Sequence, residues 1–208
     1  MATYQFPTTL TPSGSTWTLV ENTRRFSSPL TNATQTVSRK GTMWRVDLTF
    51  SNLTETDRGA LQGFMAKLQG QVNRVRLKDH AFTRQGAGGG TPLIKGASQT
   101  GSSVIIDGAG TVSDYLKAGD LLAWDKESSV ATDNPQLHMC TTDISSSGGD
   151  VTVAISPPLR NSPPDNAPVN ITNPEGVFML ATDPQWNNRP GANIFSSFSM
   201  TFLQDVLE

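Results

Sequence analysis

The stretch RQGAGGGTPLIKG, residues 84–96, has the composition of a loop that holds a phosphate group. Four of the five residues at 86–90 are glycine, and Lys95 follows them. A phosphate-binding loop, however, needs a preceding strand, the spacing G-x-x-x-x-G-K-[ST] and a following helix. Here Lys95 is followed by Gly96, no amphipathic helix begins, and no βαβ unit surrounds the glycines. We therefore interpret the cluster as a connector between two packed parts of the chain.

A second candidate for chemistry is the pair His138 and Cys140, which lie two residues apart and would share one face of a strand. With His80, they are all the histidines and cysteines of the chain, and they complete no zinc site. A catalytic cysteine also needs a base and a third group that orients it, so a buried core cysteine is the simpler interpretation. No G-x-S-x-G sequence occurs. We predict no catalytic residue, no metal site and no cofactor, and hence a protein that is not an enzyme.

Three cations alternate along NRVRLKD, residues 73–79. Arg74, Arg76 and Lys78 would share one face of a strand, with two apolar residues on the other face. Such a row can contact nucleic acid or an acidic neighbour. The alternative is a solvated edge strand that its charges protect from further pairing.

Two tryptophans are candidates for contact with a sugar. Trp186 stands beside two asparagines and an arginine in DPQWNNRPG (183–191), and Trp124 is one of the few large aromatic residues in the middle of the chain. An aromatic ring among polar groups suits a carbohydrate, but a buried anchor of the turn is an equal alternative for Trp186. We do not expect the middle segment to bind nucleic acid, because its acidic residues would repel phosphates.

The elements that must position these residues begin with three strands. WRVDLTF (44–50) alternates apolar and polar residues, so one of its faces is apolar and the other polar. STWTLV (15–20) has the same alternation, and TQTVSR (34–39) is a more polar strand.

A helix follows, with Thr54 as its N-cap and Asp57 in its first turn, where the helix dipole favours a negative charge. Its buried stripe has the spacing i, i+3, i+4, i+7 and consists of Leu61, Phe64, Met65 and Leu68. Gly70 is placed to end the helix in the left-handed conformation. The stripe predicts packing against a sheet.

Beyond the glycines, four short apolar runs are separated by turns such as GAG, DNP and SSSGGD. The runs are SSVIID (102–107), DLLAW (120–124), QLHMC (136–140) and DVTVAI (150–155). Short strands at this density are typical of a small barrel or sandwich. The proline-rich stretch 157–176 comes next, and we expect it to exclude central strands.

The last apolar runs, GVFML (176–180) and FSSFSMTFLQ (195–204), are too short to build a core of their own. We therefore expect them to pair with the N-terminal strands, which makes the middle third an insertion. The charge supports this division. Residues 1–90 have 11 basic and 5 acidic residues, residues 91–174 have 4 and 9, and residues 175–208 have 1 and 4.

The composition is that of a turn-rich globular protein. Only 16% of the 208 residues are charged, and 18 Gly with 13 Pro favour many short strands over long helices. No run of 18 apolar residues predicts a membrane span, and we expect no signal peptide. The single cysteine suits synthesis in a reducing cytoplasm.

Taken together, the sequence resembles the distal tail proteins of siphophages, the long, flexible-tailed bacteriophages, in the short type with one small insertion. The resemblance rests on WTLVENTRRF and SRKGTMWRVDLTFSNLTETDRGALQGFMAKLQG at the front, on KGASQTGSSVIIDG followed by LKAGDLL in the middle, and on an aromatic strand near the end. It covers nearly the whole chain and contains no catalytic signature.

The resemblance implies a mainly β fold. A β-sandwich belt domain with one α-helix would form from residues 1–90 and 175–208, and an inserted OB-like β-barrel from residues 91–174. It also implies six copies in a ring at the distal end of the phage tail. The ring would join the tail tube protein to the hub, tip or fibre proteins, with DNA only in transit through its lumen.

The protein would thus be a structural virion component, made and assembled in the host cytoplasm and not inserted in a membrane. A head-to-tail ring needs two unlike faces, so we place Arg74, Arg76 and Lys78 at the contact between subunits. Two alternatives remain. A major tail-tube subunit would stack into long filaments, and a carbohydrate-binding accessory module of the tail would use Trp124 or Trp186.

Overall fold

The computed structural model describes residues 1–39, 41–130, 133–188 and 196–205, except for the side chains of 186–188. The chain is mainly β, with 48% of residues in strands, 7% in the one helix of these ranges, and several sheets that include a half-barrel. The elements are β1 (Thr3–Gln5), β2 (Gly14–Val20), β3 (Thr23–Ser27), β4 (Thr34–Ser38), β5 (Met43–Leu53), α1 (Glu55–Leu68), β6 (Arg74–Lys78), β7 (Leu93–Ile94), β8 (Gly101–Asp107), β9 (Thr111–Leu116), β10 (Leu121–Asp125), β11 (Pro135–Cys140), β12 (Ile144–Ser147), β13 (Val151–Leu159), β14 (Glu175–Leu180), β15 (Gln185–Asn188) and β16 (Ser196–Gln204). The predicted mainly β class with a single helix is confirmed for the described residues.

A seven-stranded sheet joins the two ends of the chain. Its strand order is β1-β6-β14-β16-β5-β2, with β15 also paired to β16. The predicted pairing of the last segments with the N-terminal strands is confirmed, because β14 is antiparallel to β6 and β16 is antiparallel to β5. Phe202 lies opposite Val46 in that register, and both side chains are completely buried. The alternative of an edge strand at residues 73–79 is wrong, since β6 lies between β1 and β14.

The helix packs its predicted stripe into the core. Thr54 is the N-cap, and its hydroxyl accepts a hydrogen bond from the Asp57 amide at 3.2 Å. All four predicted core residues of the helix are buried. The helix ends one residue earlier than expected, because Gln69 already adopts the left-handed conformation, with φ 49°, ahead of Gly70.

A two-stranded hairpin, β3–β4, extends the β2–β5 pair beyond the large sheet. Val20 still pairs with Met43, and the Asn22 carbonyl then accepts a hydrogen bond from the Arg39 amide at 2.9 Å. Every residue of β3 and β4 is exposed. We call residues 23–38 the arm. Five residues per strand give it a length of about 17 Å, at about 3.3 Å per residue.

The middle of the chain forms a five-stranded sheet, β10-β11-β13-β8-β7, and a two-stranded sheet, β12-β9. All four predicted strands of this segment are present as β8, β10, β11 and β13. The expectation that prolines exclude central strands is wrong at Pro157 and Pro158, which lie in β13 between β11 and β8. The ladder to β8 shifts between Ala154 and Leu159, so the two prolines fall where regular pairing is interrupted.

The two parts of the chain meet at a buried junction, which we call the seam. Leu121, Ala123 and Leu137 of the middle sheet belong to the same apolar cluster as the helix and the large sheet. The indole Nε1 of Trp44 donates to the Leu137 carbonyl at 3.2 Å. The Gln204 amide donates to that same carbonyl at 3.2 Å. The inserted segment is therefore held to the terminal segments by packing and by buried hydrogen bonds.

Candidate functional site

The His138 and Cys140 pair belongs to the core of the middle segment. The His138 ring stacks on Trp124 with centroids 4.4 Å apart, and its Nδ1 lies 2.8 Å from the Pro157 carbonyl oxygen. Burial lowers the pKa of His138 to about 4, so the ring is neutral near pH 7. Burial also raises the pKa of the Cys140 thiol, which donates to the Thr142 carbonyl. The interpretation of Cys140 as a core cysteine is confirmed.

The backbone of the glycine connector is held by hydrogen bonds to a side chain of the same protein. The buried Asp120 carboxylate accepts hydrogen bonds from the amides of Gln85 at 2.7 Å, Gly86 at 2.9 Å and Lys117 at 2.8 Å. A Cβ on Gly86 would lie 2.5 Å from the Tyr115 carbonyl oxygen, so only glycine fits there. The backbone amides that a phosphate would need already have a protein anion as their acceptor, in agreement with a connector.

Asp120 is a structural residue that the sequence did not reveal, because aspartate before a strand is common in turns for local backbone reasons. Among the described residues, no group of three or more His, Cys, Asp or Glu side chains is placed to hold a metal ion. Within the same ranges, no helix has both the length and the apolar character needed to cross a bilayer.

The three cations of β6 differ in their surroundings. The Arg74 side chain is only 7% exposed, and its Nε lies 3.0 Å from an oxygen of the buried Asp205 carboxylate. Its predicted place on an exposed subunit face therefore needs correction, because Arg74 fastens the end of β16 to the body of its own chain. Arg76 is half-buried, 3.8 Å from Asp133, and Lys78 is exposed.

Arg76 and Lys78 border a depression of about 240 Å³ beside β1 and β6. Its other charged or titratable residues are His80 and Glu175. Burial, followed by the nearby positive charge of Lys78, lowers the pKa of His80. These two cations remain the part of the predicted interface that lies at the surface.

The two tryptophans predicted to contact sugar are placed differently. Trp124 is 2% exposed and stacked on His138, so it presents no ring face to a ligand. That prediction is corrected by the packing of β10 on β11, which the sequence did not reveal. Trp186 lies in β15 opposite Phe198, and its side chain is outside the described residues.

The arm is the most exposed element of the described chain, and its two faces differ. In the β3–β4 register, Arg24 lies opposite Val37 and Phe26 opposite Gln35. Residues directly opposite each other, and residues two apart, share a face of a ribbon. One face therefore carries Arg24, Phe26, Gln35 and Val37, and the other carries Arg25 with serine and threonine only. Phe26 is 53% exposed and Val37 39% exposed.

An open groove of about 380 Å³ lies where the large sheet meets the middle segment. Its lining is apolar except for Asp79 and Gly119 and consists of Trp17, Leu19, Trp44, Asp79, Phe82, Gly119, Leu121 and Met139. The Trp17 ring packs edge-on against Trp44 and Phe178, at centroid distances of 6.3 and 5.6 Å. Its Nε1 is buried and finds no acceptor among the described residues.

The sequence did not reveal this groove, because its walls come from segments far apart along the chain. The arm was predicted only in part. Residues 34–39 were predicted as a strand, whereas TRRFS (23–27) was not, because its apolar and polar residues do not alternate. No protein-family model matches the chain, and no curated protein matches it. The arm, the groove and the two surface cations of β6 are therefore the candidate functional features of the described residues.

Proposed function

We propose that this chain is a ring-forming structural subunit of a bacteriophage tail tip, of the distal tail protein type. The ring joins the tail tube to the hub or fibre proteins and continues the DNA channel. Six copies per ring follow from the resemblance in sequence.

The observation that carries the proposal is the arm. Its ten strand residues are all exposed, it forms a sheet of its own, and it belongs to neither apolar cluster of the described chain. Ordering such a ribbon costs backbone entropy, and only its own cross-strand pairs offset this cost, because it packs against neither apolar cluster. An element of this kind is expected in a protein whose surface is completed by assembly with other subunits.

The shared sheet is the second support. The terminal segments build one seven-stranded sheet, and the middle segment is inserted between neighbouring strands β6 and β14. The proposal includes the finer architecture: residues 1–90 and 175–208 as a β-sandwich belt domain that closes the ring, and residues 91–174 as an OB-like barrel attached to it. The role of the barrel in the assembly is that of a spacer or of an attachment site for fibres.

Mass photometry of the purified protein, with negative-stain microscopy, tests the proposal. We expect a closed ring with a mass near six times that of the 22.3 kDa chain. Long filaments would favour the tail-tube alternative instead. A monomer at every concentration up to the millimolar range would contradict a ring-forming role.

The cations at the surface of β6 give a second test. Arg74 is left unchanged, because reversing its charge would break the buried pair with Asp205. Arg76→Glu with Lys78→Glu should dissociate rings in light scattering, whereas the exposed helix residue Lys67, changed to Glu, should not. Rings that persist in the first variant would remove these two residues from the interface.

A further inference from the structure

We infer that the groove at the seam receives the arm of a second copy of this chain. This inference rests on the proposed ring and specifies its contact. The amphipathic face of the arm, with Arg24, Phe26, Gln35 and Val37, is the surface that enters the groove.

The groove has the properties of a site that needs an occupant. Trp17, Leu19 and Met139 are partly buried apolar side chains that line an open volume of about 380 Å³. An incoming segment that fills this volume must therefore supply apolar side chains.

The arm supplies such side chains on one face. Phe26 and Val37, the large apolar side chains of its strands, are exposed and lie together on that face. The opposite face, with Arg25 and hydroxyl side chains, has no apolar residue. Only one face of the arm therefore matches an apolar groove, which fixes the orientation of the contact.

Charge complementarity also favours a contact between the arm and the groove. The arm contains arginines and no acidic residue, while the groove is lined by one charged side chain, Asp79. The neighbours of Asp79 in sequence, Lys78 and His80, line the separate depression of about 240 Å³. Arg24 lies on the same face of the arm as Phe26 and can reach Asp79 when the ring of Phe26 enters the groove.

A second copy is the occupant, rather than the same chain. The arm continues the β2–β5 pair outward, and every one of its strand residues is exposed, so it is not folded onto its own body. The groove lies beside the β2–β5 pair itself, because Trp17 and Leu19 of β2 line it. Each copy thus offers an arm and a groove at different places, which is the heterologous geometry from which rings close.

A charge-reversal series tests the contact by light scattering and mass photometry. Arg24→Asp and Asp79→Arg should each weaken assembly about a hundredfold, because like charges would face each other. The double variant should restore assembly to within about tenfold of the original chain. The matched control is Arg25→Asp, which makes the same charge change on the opposite face and should leave assembly intact.

The failure of this inference is distinguishable from failure of the ring. If the unchanged chain forms no oligomer, the proposed function and this contact both fall. If it forms rings and Arg24→Asp and Arg25→Asp have equal effects, the ring stands and the arm–groove contact is overturned. Circular dichroism melts check that each variant remains folded, and unfolding of Asp79→Arg alone leaves the Arg24 and Arg25 comparison decisive.

Disulfide trapping identifies the occupant. In the variant Leu19→Cys with Val37→Cys, oxidation should give multiples of the chain mass on a denaturing gel, while each single variant should not. The native Cys140 is fully buried and does not interfere. A bond formed within one chain, or no bond in assembled rings, would overturn the inference, and the second result would leave the groove to a hub or fibre segment.

Discussion

The seam and the arm place their side chains against the usual rule in opposite ways: the seam buries polar side chains, and the arm exposes apolar ones. At the seam, polar side chains such as Asp120 and Gln204 are buried. Asp120 accepts hydrogen bonds from two amides of the connector, and Gln204 accepts one from the Trp44 amide and donates one to the Leu137 carbonyl. In the arm, Phe26 and Val37 are exposed, although apolar side chains are normally placed inside. The comparison shows where this chain completes its interactions by folding and where it leaves them to another molecule. Substitutions at the seam should therefore act on stability, and substitutions in the arm on assembly.

The largest effect is expected at Asp120. The change Asp120→Ala leaves three amide donors without their acceptor, so the free energy of unfolding should fall by about 3–5 kcal/mol. Urea titration followed by tryptophan fluorescence measures it. The matched control is Asp133→Ala, whose side chain is 81% exposed and should cost at most about 1 kcal/mol. Equal effects of the two changes would show that Asp120 does not hold the connector.

An intermediate effect on the free energy of unfolding is expected when the pH is lowered, because of His138. Its folded-state pKa is about 4, below the usual histidine value of 6.5. Between these values the unfolded chain binds a proton that the folded chain does not, so stability is complete above pH 6.5 and falls as the pH approaches 4. The loss should reach about 3 kcal/mol.

The change His138→Gln isolates this contribution from the titration of carboxylates in the same range. Urea midpoints at pH 7 and pH 4.5 should differ less in the variant than in the unchanged chain. The variant will also be less stable at both values, because it loses the stacking on Trp124. An unchanged pH dependence would mean that His138 binds a proton as readily in the folded chain as in the unfolded chain.

The regular elements could be predicted because their residues repeat with a period that the sequence shows. The alternation around Trp44 and the stripe of the helix both lead to buried faces. Residues whose placement depends on a distant partner could not be predicted. Arg74 is buried because Asp205, at the other end of the chain, neutralises it. Trp124 is buried because β10 pairs with β11 and brings His138 against its ring.

The candidate site was less predictable than the fold. The groove is lined by residues of β2, β5, β10 and β11 and of the segment after β6. No pattern within one short stretch of the sequence indicates that these segments come together. The arm was missed in part, since TRRFS lacks the one-sided apolar pattern of a strand packed on a core. Only its pairing with β4 shows that Phe26 and Val37 share a face.

The smallest effect on stability is expected in the arm, and it separates the two regions most clearly. Because Phe26 and Val37 are exposed, Phe26→Ser with Val37→Ser should change the free energy of unfolding of the monomer by no more than about 0.5 kcal/mol. Urea titration at a concentration where the chain is monomeric measures this. The same variant should lose ring formation in light scattering, because the apolar contact with the groove is gone. A loss of several kcal/mol in the monomer would mean that the arm packs on its own chain, and the distinction between a folded seam and an arm reserved for a partner would then disappear.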